Sequence, residues 1–200
     1  MKTAGVDTVF RYYARKLQPE LPQKRLTRAE ALALSEAGLH VGVVYQYHAN
    51  SAEVFSKEVG LSDAAFARQY AAHEIGQPRG SAIYFGVDFD VSDVEIEKHI
   101  LPHFESLMQA MQIAGTQPCY DIGVYGSWKA CDRLTIEGLC KFAWLAQATG
   151  WGGKDGYHAY SASKKWTLKQ GFSAGDICGL DYDPNVSNEH KPIGAFKVQV

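Results

Sequence analysis

An α/β barrel of about eight strands, with helices missing after the last strands, is predicted from three observations. An apolar, β-prone run from Ser81 to Val87 ends abruptly in Asp88 and Asp90. Strand-like runs alternate with helical patterns through the first two thirds of the chain, the order that builds a parallel sheet covered by helices. The last third then carries three strand-like runs with no helical periodicity between them, which brings the strand total to about eight, the number that closes such a barrel.

Each element has a local reason. Ala4 to Asp7 reads as a short strand ending in an acid, with Val9 to Tyr13 as a second strand beside it. Thr27-Arg-Ala-Glu30 has the capping-box pattern of a helix start, and Ala31, Leu34 and Ala37 follow at helical spacing up to a stop at Gly38. His40 to Tyr47 is the next strand. Ser62-Asp63 caps a second helix, whose Phe66 and Tyr70 lie one turn apart and which ends at Gly76 and Pro78. After the strand ending at Val87, Ser92-Asp-Val-Glu95 is another capping box. It opens a longer helix with Ile100, Phe104, Leu107 and Met111 as an apolar stripe, kinked at Pro102. Asp121 to Tyr125 is a strand and Trp128 to Leu134 a short helix. Phe142 to Gln147, Trp166 to Gln170 and Cys178 to Asp183 are the late strands, and Ala195 to Val200 reads as an added one.

At 200 residues, 46% of them hydrophobic, the chain fills one domain, residues 1–200. A formal charge of -2 with no basic cluster gives no reason to expect nucleic acid as a partner. No apolar run reaches the roughly 18 residues of a membrane span. The first residues lack the apolar core of a secretory signal, so the expectation is a chain made in the cytoplasm, with export by a non-classical or dedicated secretion route left open. Cys119, Cys131, Cys140 and Cys178 have no C-x-x-C spacing and read as reduced thiols. No cofactor is expected. The Gly150 to Gly156 run is not flanked by strand and helix as a phosphate cradle is, and no G-x-S-x-G is present.

The acids carry the chemistry. In a strand, residues two apart face one side, so Asp88 and Asp90 point to one place. Acids at the C-terminal ends of barrel strands line the active site. If the barrel closes, Asp7, Asp88, Asp90, Asp181 and Asp183 gather at one mouth. Carboxyls crowded in a partly dry cleft resist ionising together, and one that stays protonated can deliver a proton to a leaving oxygen, as glycoside hydrolysis requires. Tyr45, Tyr47, Tyr84, Tyr125, Trp144 and Tyr182 offer flat faces suited to sugar rings, and Gln46, Gln147 and Gln170 offer hydrogen bonds. Aromatic residues in strands also pack as core, and pattern alone does not separate the two roles. Arg11 is a further candidate, for neutralising part of the acidic cluster or binding a substrate carboxylate.

Gly5-Val-Asp7, Tyr84-Phe-Gly-Val-Asp-Phe-Asp90, Gly123-Val-Tyr125, Trp144-Leu-Ala146 and Leu180-Asp-Tyr-Asp183, in that order, resemble the glycoside-hydrolase-like TIM-barrel domains of unknown function, relatives of the family-25 lysozymes. The resemblance spans nearly the whole chain. It implies a TIM-like barrel whose last strands lack helices and a muramidase-like activity on peptidoglycan. Carried across, the first-strand acid falls on Asp7, the middle Asp on Asp88, the catalytic Glu on Asp90 and the last-strand Asp on Asp181. The resemblance thus implies Asp90 as general acid, Asp88 as the residue positioning the substrate or attacking group, and Asp7 and Asp181 as stabilisers of an oxocarbenium-like transition state. Asp90 is a departure, one methylene shorter than Glu.

Two other readings stand beside this one. In the first, the barrel is a non-catalytic glycan-binding module; in the second, the acids hold Ca²⁺ or Mg²⁺, which prefer oxygen ligands. His99 and His103 lie four residues apart without a zinc motif and read as a solvated helix face.

Overall fold

The computed structural model describes residues 1–14, 24–111, 120–172, 175–177, 179–189 and 191–199. Its strands are β1 (Thr8–Tyr13), β2 (His40–Tyr45), β3 (Ala82–Val87), β4 (Asp121–Gly126), β5 (Phe142–Leu145), β6 (Leu168–Gln170), β7 (Gly175–Ile177), β8 (Leu180–Tyr182) and β9 (Asn185–Ser187). The helices are α1 (Arg28–Glu36), α2 (Lys57–Gln69), α3 (Asp93–Glu95), α4 (Leu101–Met111), α5 (Trp128–Ile136) and α6 (Lys154–Ser163). Seven strands make one curled sheet in the order β1-β2-β3-β4-β5-β6-β9, and β7 and β8 pair in a separate hairpin. Every pairing from β1 through β6 is parallel, while β6 and β9 run antiparallel. The result is an α/β half-barrel consistent with a TIM-like barrel. No helix among the described residues is long and apolar enough to cross a membrane.

The curl sorts side chains by parity. Val41, Val43, Tyr45, Ile83, Phe85, Val87, Val124 and Leu145 point outward and pack beneath the helices in the larger core. Phe10, Val44, Tyr84, Phe142, Trp144 and Leu168 point inward and fill the barrel. All six residues of β3 are buried, so burial on both faces explains its uninterrupted apolar run. Each fully buried side chain of this size contributes about 1.5–3 kcal/mol. The interior closes by setting rings over glycines: a Cβ at Gly42 would meet the Phe10 ring, and one at Gly123 the Tyr84 ring.

Several elements follow their local signals. The Thr27 side chain accepts from the Glu30 N–H at the start of α1, and the reciprocal Ser92–Glu95 capping box is complete. Gly38 and Gly76 take the left-handed φ of helix stops, 82° and 76°. Ahead of Pro102 the helix widens into a π-turn over Ile96–Ile100, in which the Leu101 N–H reaches Ile96 O. A proline contributes no N–H, and such a turn is one way for a helix to absorb it.

Other expectations are corrected. Residues 2–4 form a 3₁₀ turn, not a strand, so Asp7 precedes β1. The second helix starts at Lys57 under a Ser56 cap, leaving Asp63 in mid-helix and buried. His103 is buried, not on a solvated face. A helix, α6, does stand between β5 and β6; its buried residues are only Tyr157 and Tyr160, one turn apart among polar residues, alanine and glycine. Leu180–Tyr182 belongs to the β7–β8 hairpin and not to the barrel sheet. The tail bridges at Phe196 to Val41, and Gly194 O accepts from the Ala82 N–H, so it wedges between β2 and β3 at their N-terminal ends. Of the cysteines, Cys131 and Cys140 are free and buried, and burial pushes both thiols up. Cys119 and Cys178 lie outside the described residues.

Candidate active site

Parallel strands present their C-terminal ends at one rim, and the inward-facing residues there make the mouth. β1 contributes Tyr12, two residues beyond the inward Phe10. Gln46 follows β2, and its Nε2 donates to Asp88 Oδ2 at 2.7 Å. Asp88 follows β3, its own N–H donating to Ala49 O at 2.7 Å, so the loop after β2 holds both backbone and carboxylate. From β4, the Tyr125 hydroxyl donates to Gln170 Oε1 at 3.0 Å. That same oxygen accepts the Gln147 N–H at 3.2 Å. Trp144 forms the floor, with ring centroids 5.0 Å from Tyr125 and 4.6 Å from Phe10. Its Nε1 donates to Asn185 Oδ1 at 2.7 Å, and Asn185 Nδ2 donates to Asp183 O at 2.9 Å.

Electrostatics ties these groups together. Burial raises the pKa of Tyr12, and the charges of Asp183 and Asp88 raise it further. Burial likewise raises that of Tyr125, with Asp88, Tyr12 and Asp183 adding to it. Both phenols therefore stay protonated as donors across the neutral range. Lys24 Nζ sits 4.2 Å from the centroid of the Tyr12 ring, placing a cation beside this acidic mouth. Carboxylates, phenols and amide side chains thus line one rim, where they can hydrogen-bond a polar ligand. Among the described residues no three His, Cys, Asp or Glu groups gather to hold a metal ion.

The mouth therefore brings together Gln46, Asp88, Tyr125, Trp144 and Gln170 of the expected residues, with Gln147 joining through its backbone N–H and Asp183 through its carbonyl. Asp90 lies beyond β3 on an exposed loop, where its Oδ1 accepts the Gly152 N–H at 2.8 Å and ties that loop to the one after β5. Asp7 sits at the opposite rim, bound to Lys2 Nζ at 2.7 Å and 3.3 Å from His40 Nδ1. It precedes β1, so the acid marks where that strand begins and not where it ends. Arg11 faces outward and pairs with Glu30 at 2.6 Å on α1. Tyr45 also points outward, its hydroxyl donating to the buried Asp63 at 2.6 Å. Tyr84 is inward but at the barrel bottom, donating to Ile193 O at 3.0 Å. The side chain of Asp181 lies outside the described residues. Sequence reasoning missed Tyr12, whose signal was its two-residue spacing from Phe10, and Asn185, which carried none.

Known proteins share this architecture. The structure of the Mycobacterium tuberculosis Tat-secreted protein Rv2525c, in complex with HEPES, superposes with a TM-score of 0.75 at 24% identity, covering 97% of this chain and 90% of that one. An uncharacterized B. stearothermophilus protein superposes with a TM-score of 0.61 at 18% identity, covering 95% and 88%. These two likenesses concern the fold. In sequence, the chain is 35% identical over 195 residues to the uncharacterized protein YbfG of Bacillus subtilis (strain 168), and 31% identical over 200 residues to its uncharacterized protein FadG. The matches cover 92% and 94% of this chain but only 26% and 34% of those proteins, so the chain spans about a third or less of the curated relatives it matches. The profile of the Rv2525c-like, glycoside hydrolase-like domain matches residues 1–183. With the curled α/β sheet and the acidic mouth at its strand ends, that match over most of the chain makes this protein a member of the Rv2525c-like, glycoside hydrolase-like domain family.

Proposed function

We propose that this chain is a glycoside hydrolase acting on a cell-wall glycan, peptidoglycan in particular, by carboxylate general acid catalysis. One observation carries the reading: at the C-terminal rim of the sheet Gln46 Nε2 holds the Asp88 carboxylate at 2.7 Å, beside the bonded pair Tyr125 and Gln170. A glycan crossing that rim meets protonated phenols and the amides of Gln46 and Gln170, which suit sugar hydroxyls and acetamides. Asp88, held by Gln46, positions the substrate or an attacking group at the reacting carbon. Asp183 stabilises the positive charge of the oxocarbenium-like transition state, a part that the family-25 resemblance gives to Asp7 and Asp181. Asp90, on the loop above Asp88, delivers the proton to the leaving oxygen. The relative Rv2525c is a Tat-secreted protein, which agrees with a substrate outside the cytoplasm.

A second reading, the non-catalytic glycan-binding module, is favoured by Asp90 alone. Its carboxylate already holds the Gly152 N–H, and Asp reaches roughly 1.5 Å less far than the Glu of the resembling lysozymes. A misplacement of ~1 Å can cost about a hundredfold in rate. The deciding experiment incubates purified peptidoglycan with the parent protein, Asp90→Asn and Asp88→Asn, and looks for new reducing-end muropeptides by mass spectrometry. Products from the parent alone establish the hydrolase. No products from any, with all three sedimenting with the glycan, establish the binding module.

A further inference from the structure

Among the described residues, seven large hydrophobic side chains are exposed, and three of them, Phe172, Tyr182 and Val186, lie on the segment from β6 through β9. Both aromatic ones are there. The Phe172 ring is 69% exposed. A lone exposed apolar residue is ordinary, so the case for Phe172 rests on where the β6–β9 ladder sets it.

The ladder between β6 and β9 indicates which way Phe172 faces. Leu168 pairs with Ser187 and Gln170 with Asn185. Leu168 packs in the barrel interior, while Gln170 and Asn185 take the inward hydrogen bonds from Tyr125 and Trp144. Pairing continues one step past the strands, because the Gly171 N–H donates to Pro184 O at 2.7 Å. The next inward step falls on Phe172, across from Asp183. Asp183 is tied to the mouth through Asn185, whose Nδ2 donates to Asp183 O at 2.9 Å while its Oδ1 accepts from Trp144.

We infer that Phe172 forms an outer sugar subsite of the mouth, where its ring stacks on the apolar face of a pyranose in an extended glycan strand, away from the bond cleaved. This rests on the glycan reading of the same mouth and deepens it, because such a subsite makes the protein a reader of polymer and not of short fragments. Tyr182, next to Asp183 in sequence, alternates to the other face and serves as the control.

The test measures equilibrium binding, in the cold, of long uncrosslinked peptidoglycan strands and of a muropeptide disaccharide to the parent, Phe172→Ala, Phe172→Trp and Tyr182→Ala. Phe172→Ala should weaken strand binding about tenfold, the scale of one aromatic contact, and leave disaccharide binding unchanged. Phe172→Trp should restore it, and Tyr182→Ala should change neither. Strand binding by Phe172→Ala equal to the parent, or an equal loss for strand and disaccharide, overturns the subsite. A parent that binds strands without releasing reducing ends fails as a hydrolase but leaves this comparison decisive, and one that binds no strand ends both readings.

Discussion

Gln46 donates its Nε2 to Oδ2 of Asp88 at 2.7 Å, so the carboxylate at the end of β3 is oriented by the amide at the end of β2. Replacing Gln46 by Leu removes the donor and releases Asp88. Turnover should fall about tenfold to a hundredfold through kcat, the range expected when a reacting group loses its positioning. Steady-state kinetics on soluble glycan checks this, and an unchanged kcat would remove Gln46 from the site.

Tyr45 and Asp63 form the contrasting case. Their 2.6 Å hydrogen bond lies on the outer face, with His103 Nε2 3.8 Å from Asp63 Oδ2. Tyr45→Phe takes one donor from a buried carboxylate and should destabilise the fold by about 1–3 kcal/mol. Glycan affinity should stay at the parent level. Denaturant unfolding beside a binding assay separates the two effects.

Packing of rings over glycines makes a sharp stability prediction. Gly123→Ala drives a methyl group into the Tyr84 ring, whose hydroxyl is anchored on Ile193 O. Overpacking of this kind costs about 1–3 kcal/mol. A lowered midpoint in urea with an unchanged slope is the expected result.

Alkaline pH should unfold the protein through its tyrosines. Burial raises the pKa of Tyr13, Tyr84, Tyr125 and Tyr160 above 10.0. For groups raised in the folded state, the unfolded chain loses protons first. Their contribution is complete below the unfolded value near 10 and is lost as pH rises toward the folded ones. The last part of the phenolate absorbance, from these four rings, should therefore appear together with loss of far-UV circular dichroism, and titration of all eleven tyrosines without unfolding would contradict the burial.

Loop coupling can be read through Asp90. Asp90→Ala deletes the acceptor for the Gly152 N–H and should speed hydrogen exchange across residues 150–153, while Asp90→Asn, which keeps an acceptor oxygen, should not.

Much of the fold was legible because its signals are local. The Ser92–Glu95 box, the Gly38 and Gly76 stops and the doubly buried run of β3 each depend on a few neighbouring residues. Of the candidate site, the sequence pointed to Asp88 at the end of β3 and to Tyr125, Gln170 and Trp144, which face inward along the same sheet. Helix α6 was not, because tertiary burial of Tyr157 and Tyr160 outweighs a sequence whose other residues, polar ones with alanine and glycine, carry little periodic signal.

By itself, the sequence determined that strands alternate with helices and that apolar runs end in acids, since propensity, capping and side-chain alternation act over a few residues. Which acids meet was decided only by the tertiary structure. Asp7 and Asp88 read alike in the chain, yet one precedes its strand and the other follows it, so parallel pairing carries them to opposite rims. Tyr12, Asn185 and Asp183 join Asp88 only because the sheet curls and β9 returns antiparallel along β6. The Trp144–Asn185 contact among them links residues 41 positions apart, a distance over which no local pattern carries information.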